Sequence, residues 1–168
     1  ILNGSRDLTK KVWGEINPYI ENFDCVGKTM DDLNEYCANN DVDILIIDQL
    51  DKINVTGKFN ATHEKLREVY TQARELAKRH KILVIGMSQA SAEAQGRSRV
   101  TFSTMENSKT GKASEADLIL GLGKEDEEED FMSDCTRFIT LSKNKLTGDH
   151  AEFEVILRPT ISRFAERN

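Results

Sequence analysis

Apolar positions along the chain alternate between two periods. Residues 42–48, VDILIID, form an unbroken apolar run closed by an aspartate, and residues 81–88, KILVIGMS, form a second. Such runs predict strands buried on both faces, as in a parallel sheet. Between them, over 62–80, Leu66, Val69, Tyr70, Ala73, Leu76 and Ala77 recur at helical spacing, and Arg79-His80 close the C-terminal end. Upstream, Met30, Leu33 and Cys37 fall at i, i+3 and i+7, which predicts a helix beginning after Thr29 and ending at Asn39-Asn40. Residues 5–16 give a weak helical signal, and 19–26, YIENFDCV, read as a short strand. Residues 116–122, ADLILGL, predict a third apolar strand. Residues 137–143 and 151–158 alternate like an antiparallel pair across Leu146-Thr147-Gly148-Asp149, and TISRF at 160–164 suits an edge strand.

Strand, helix, strand, helix, strand and then a hairpin predict an α/β domain with a mostly parallel sheet and a C-terminal antiparallel hairpin. Two prolines and no low-complexity linker predict one continuous domain over residues 1–168. Ligands of such sheets sit beyond the carboxyl ends of the strands. Those ends are Asp48, Ser88-Gln89 and Lys143.

The DCVGKT stretch at 24–29 resembles the tail of a phosphate-binding loop, G-x-x-x-x-G-K-[ST]. The pattern requires glycine at position 22, and Asn22 stands there. Only 19 residues separate Lys28 from Asp48, room for one short helix. The stretch is therefore expected to be a turn at Gly27 and a helix cap at Thr29, with Asp31 and Asp32 suited to the first turn.

Composition changes little and charge changes more. The chain is 38% hydrophobic and 31% charged, an ordinary globular mix, with no apolar run long enough to cross a bilayer. A start at Ile1 suggests a piece of something longer, and the N-terminus has no signal-peptide pattern. The three cysteines lack metal-ligand spacing and are expected to be reduced thiols. A net charge of −6 argues against binding nucleic acid over the whole surface, but not against a local basic site. The acid is densest in the unbroken run Glu125–Asp130, within an expected acidic loop at 124–134. The polar stretch 90–112 carries Arg97, Arg99, Lys109 and Lys112 against Glu93 and Glu106, a local excess of +2. Long loops of this kind are commonly functional, and Lys109-Thr110-Gly111-Lys112 offers cations and backbone N–H groups to a phosphate. A second loop at 51–61 carries Lys52 and Lys58.

The run ILIIDQLD has the form of a Walker B strand, whose carboxylate, here Asp48, would hold Mg²⁺ through nucleotide phosphates. The same form also suits a strand that ends in Asp for the sake of its turn. Gln89, at the end of the next strand, could hydrogen-bond a γ-phosphate or an attacking water, or merely cap a helix. Lys143 and Lys145 lie two apart and could reach one anion, or be a solvated pair beside the turn.

In this order, DILIIDQL, LREVYTQARELAKRHKILVIGMSQ, EADLILGL, FITLSKNKLTGDHAEFEVIL and ISRF resemble the carboxyl-terminal RecA-like motor of DnaB-type replicative hexameric DNA helicases of bacteria and phages. The resemblance covers about residues 19–164. It implies a homo-hexamer that hydrolyses ATP with Mg²⁺ between subunits and translocates on single-stranded DNA. It also implies primase and helicase-loader partners and a cytoplasmic setting with no membrane. It makes Asp48 the Walker B aspartate and Gln89 the γ-phosphate sensor, and places Lys109–Lys112 at the DNA-contacting loop. Lys143 and Lys145 fall where the family has a Lys-x-Arg pair reaching into the next subunit. Lysine at the second position lacks the planar guanidinium fork, which weakens the analogy there. No Walker A loop matches in the 47 residues before Asp48, so this chain alone is expected not to hydrolyse ATP. A RecA-like recombinase, another ring ATPase, or a non-catalytic RecA-like module binding DNA or a partner would share much of the pattern.

Overall fold

The computed structural model describes residues 19–104, 109–125 and 135–166, with only the backbone described at Lys109 and Thr110. The weak helix expected at 5–16 and most of the acidic loop lie outside the described residues. The strand expected at 19–26 does not form; that stretch is irregular and closes in a turn.

Helix α1, Met30–Asn39, begins as its sequence dictates. The Thr29 hydroxyl accepts from the Asp32 amide at 3.3 Å, and the Asp32 carboxylate accepts from the Thr29 amide at 2.7 Å. This reciprocal capping box satisfies two otherwise orphaned donors. Gly27 makes the preceding turn at φ 74°, where glycine is favoured. The cap is tied down by a backbone exchange with Asn54, which accepts from Met30 at 2.9 Å and donates to Lys28 at 3.2 Å. DCVGKT is thus a turn and a cap.

Strand β1, Ile44–Ile47, and strand β2, Leu83–Gly86, pair in parallel with Ile44 opposite Leu83 and Ile47 opposite Gly86. Helix α2, Thr62–His80, connects them and ends at Lys81 in the left-handed region. Its stripe of Leu66, Val69, Tyr70, Ala73 and Leu76 is buried. With Met30, Leu33 and Cys37 of α1, and with Ile47, Leu50 and Ile53, residues of this stripe form the core. Arg79 donates to the Asn34 side chain at 2.9 Å, joining the two helices at their rims.

Only one face of this sheet is covered among the described residues. Leu45, Ile47, Ile82 and Val84 turn to the helices. Ile44, Ile46, Leu83, Ile85 and Met87 are 40–59% exposed. This departs from the expectation of strands buried on both faces. The apolar run supplies two apolar faces, and the described residues supply cover for one.

Helix α3, Lys109–Glu115, begins inside the stretch 90–112 expected to be a loop and runs past its end; the same stretch also holds short 3₁₀ turns at Ala92–Ala94 and Phe102–Thr104. The remaining strands form an antiparallel sheet ordered β3-β4-β5-β6. They are β3, Leu118–Gly123; β4, Thr136–Asn144; β5, Glu152–Arg158; and β6, Arg163–Glu166. The class is α/β, as the sequence predicts, with the third apolar strand paired antiparallel to β4. The expected hairpin closes with Gly148 at φ 81°, its amide donating to the Asn144 carbonyl at 3.1 Å. The closing edge strand forms at 163–166, slightly later than expected.

Candidate nucleotide edge and basic surface

The parallel ladder runs past the strand ends. Met87 donates to Ile47 at 3.0 Å and Leu50 to Met87 at 2.9 Å. Asp48, the first residue beyond β1, and Gln89, three beyond β2, are thereby brought to one carboxyl edge, and both are exposed. The Leu50 side chain lies over Gly86, where a Cβ would come 2.6 Å from Leu50 Cδ2. Glycine there lets the chain after β1 fold back across β2.

Behind this edge lies a cluster that no sequence pattern announces. Lys112 is fully buried. Its Nζ donates to Asp51 Oδ2 at 2.8 Å and lies 3.2 Å from Ser88 Oγ. Ser88 Oγ also donates to Asp51 Oδ2 at 2.8 Å, and the Tyr70 hydroxyl donates to Asp51 Oδ1 at 2.8 Å. Burial pushes the Tyr70 phenol above its usual range, and the hydrogen bond to Asp51 adds to the rise. The expectation that Lys112 faces DNA is corrected: it points inward, with its charge spent on Asp51. Buried lysines are rare unless paired, and the partner here is legible in the sequence only as the second aspartate of DQLD.

Lys143 and Lys145 do converge on one feature, the C-terminal carbonyls of α3. Lys143 Nζ donates to the Ala113 carbonyl, and Lys145 Nζ donates to the Ser114 carbonyl at 3.2 Å. Arg74 of α2 donates to the Glu115 carbonyl and, at 3.0 Å, to Asp117. Asp117 lies 3.4 Å from Lys145 Nζ. Three cations therefore meet the negative end of α3. Burial, and then the neighbouring Lys145 charge, lower the Lys143 pKa. The hydrogen bond from Arg74 is the main cause of a lowered Asp117 pKa.

Arg97 and Arg99 are exposed on a segment laid across β3. A Cβ at Gly121 would clash with the Val100 carbonyl, and one at Gly123 with the Ser98 carbonyl. The two glycines of LGLG are what let this segment lie flat, and their alternation along the strand is the signal the sequence offers. Arg97, Arg99, Ser98 and Ser103 line a shallow pocket. The structure therefore gathers Arg97 and Arg99 on one surface. Gly111 is half-buried in α3, Lys109 and Thr110 lie on its first turn, and Lys52 and Lys58 are exposed on the loop after β1.

Among the described residues no group of three or more His, Cys, Asp or Glu side chains could hold a metal, and no helix is long and apolar enough to cross a membrane. Asp48 is suited to Mg²⁺ that arrives with phosphates, since this ion takes one or two carboxylates and keeps phosphate and water ligands.

No family model matches the chain, and no curated protein matches it in sequence. Solved structures do. One ATPase domain superposes with a TM-score of 0.71 at 16% identity, over 84% of this chain and 52% of that one. A DnaB-like replicative helicase, solved in a study of its interactions with primase, superposes with a TM-score of 0.70 at 16% identity, over 84% of this chain and 35% of that one. The chain thus spans about half of the first and a third of the second. At this identity the likeness establishes the fold alone: an α/β chain built like part of that ATPase domain and like part of that DnaB-like helicase.

Proposed function

We propose that this chain is the carboxyl-terminal portion of an ATP-dependent replicative DNA helicase motor. The observation that carries the proposal is the placement of Asp48 and Gln89, both exposed, beyond adjacent parallel strands. A nucleotide at that edge would meet a carboxylate for its Mg²⁺ and an amide able to sense its γ-phosphate. The metal would supply charge neutralisation at the phosphates; Asp48 would fix its position, and Gln89 would hold the terminal phosphate or orient water.

On this reading the phosphate loop lies outside residues 19–166, and the segment that carries it packs on the uncovered face of Ile44, Ile46, Leu83, Ile85 and Met87. An exposed apolar patch of this kind marks a packing surface, and the matching ATPase domain is about twice as long as the part this chain covers. Arg97, Arg99 and Lys109, with Lys52 and Lys58, are the proposed contacts to single-stranded DNA. Lys143 and Lys145 are proposed to reach a nucleotide phosphate across a subunit boundary in a homo-hexamer. That reach requires them to leave the α3 carbonyls. Primase and a loader are the proposed partners.

The test is steady-state hydrolysis and unwinding by the complete protein. Asp48→Asn is expected to lower ATP turnover by at least about a hundredfold, the scale of losing a preorganised charge at the reacting phosphates. Gln89→Ala is expected to uncouple turnover from DNA. Unchanged turnover with Asp48→Asn removes the nucleotide assignment.

A further inference from the structure

We infer that Lys112 is a positioning residue: it sets helix α3 in register with the carboxyl edge of the parallel sheet, so that the placement of Gln89 depends on that of α3. The inference rests on the helicase reading for the meaning of Gln89, but its geometry stands by itself. Four elements meet at the Asp51 carboxylate. Lys112 comes from α3, Asp51 from the turn after β1, Ser88 from the end of β2 and Tyr70 from α2. Asp51 is three residues beyond Asp48, and Ser88 immediately precedes Gln89.

A buried ion pair is a poor way to gain stability, because desolvation of both charges offsets most of their attraction. An apolar side chain of similar length, such as methionine, would pack in the same space. What the charged pair adds is direction. Lys112 Nζ has an acceptor on each of two strand ends, Asp51 Oδ2 at 2.8 Å and Ser88 Oγ at 3.2 Å, and it also lies 5.6 Å from the centre of the Tyr70 ring. Both Asp51 oxygens are engaged, one by Tyr70 and the other by Ser88 and Lys112. Moving α3 outward either draws Ser88 and Asp51 with it or leaves a half-satisfied carboxylate in the interior. The second outcome is strongly disfavoured. At its other end α3 is gripped by Arg74, Lys143 and Lys145. The helix therefore links the basic pair to the residues flanking Asp48 and Gln89.

The 168-residue chain is tested first, by amide hydrogen exchange with neither nucleotide nor DNA present. The reporters are α3 and the amides of Leu50 and Ser91, which donate to the Met87 and Thr104 carbonyls. Lys112→Met is expected to raise exchange at α3, Leu50 and Ser91 together by about tenfold, while the interiors of α2 and the β4–β5 hairpin keep their rates. Ser88→Ala, which spares the ion pair, is expected to give a smaller rise at the same places. A rise confined to α3, or spread evenly over the chain, overturns the inference. Should Lys112→Met fail to fold, Ser88→Ala decides, and unchanged exchange at Leu50 and Ser91 counts against it. In the complete protein, Lys112→Met should reduce the ratio of DNA affinities with and without nucleotide towards one, leaving nucleotide-free affinity unchanged. An unchanged ratio also overturns it. A wild-type ratio of one would instead be a failure of the helicase reading, and the exchange result would still stand.

Discussion

The backbone of Val100 lies so close above Gly121 that any side chain at 121 would collide with the Val100 carbonyl. Backbone cannot yield as a flexible side chain can, so Gly121→Ala must lift the segment that presents Arg97 and Arg99. A loss of about 1–3 kcal/mol in stability is expected. Chemical denaturation would measure it, and hydrogen exchange should localise the disturbance to 97–100. Gly27→Ala is the control, because nothing lies near its Cβ and only its positive φ is penalised. An undisturbed 97–100 segment in Gly121→Ala would contradict the packing described.

The capping box at Thr29 makes a separate prediction. Thr29→Ala removes the hydroxyl that accepts from the Asp32 amide. The expected cost is about 1 kcal/mol, within the usual range for losing an N-cap. Thr29→Ser should retain most of the stability. Equal denaturation midpoints for Thr29→Ala and the parent would show that the cap contributes nothing.

Asp117 sets a pH dependence. Its folded pKa is lowered, chiefly by the hydrogen bond from Arg74 and then by the Arg74 and Lys145 charges. A lowered folded pKa means that the unfolded chain binds the proton more readily. The stabilisation is therefore complete above the unfolded value of 3.8 and is lost as pH falls through the folded value. Asp117→Asn should be less stable than the parent at pH values well above 3.8, with the gap narrowing as pH falls below 3.8 towards the lowered folded value. Because the carboxylate is 54% exposed, the effect should shrink in high salt. A gap that does not narrow as pH falls below 3.8 would rule out the ion pairs as its source.

The basic surface can be read by salt. Arg97→Ala with Arg99→Ala should weaken binding of oligo-dT by the complete protein and reduce the slope of log affinity against log salt by about 1.4, two phosphate contacts at roughly 0.7 each. Lys112→Ala is not equivalent, since that ammonium is buried against Asp51. A slope unchanged in the arginine double variant would remove Arg97 and Arg99 from the DNA surface.

Local signals in the chain are sufficient for local structure. The spacing of Leu66, Val69, Tyr70, Ala73 and Leu76 is realised as the buried stripe of α2, and Thr29 with Asp31 and Asp32 starts α1 where capping chemistry requires. The apolar runs ending at Asp48 and near Gln89 are realised as parallel neighbours. The stripe and the cap depend on residues a few positions apart, whose interactions survive almost any global arrangement; the pairing of the two runs, 39 positions apart, needs the helix between them to bring them together. YIENFDCV misleads because apolar residues without a neighbouring strand have no ladder to join.

The order of the apolar runs determined an α/β chain and put Asp48 and Gln89 at strand ends. Tertiary structure alone decided that ADLILGL pairs antiparallel with β4, that Lys112 turns inward, and that Lys143 and Lys145 grip α3. A lysine is equally compatible with solvent, phosphate or a buried carboxylate. Which it meets depends on partners distant in the chain, here 61 residues away at Asp51, and no local pattern carries that separation.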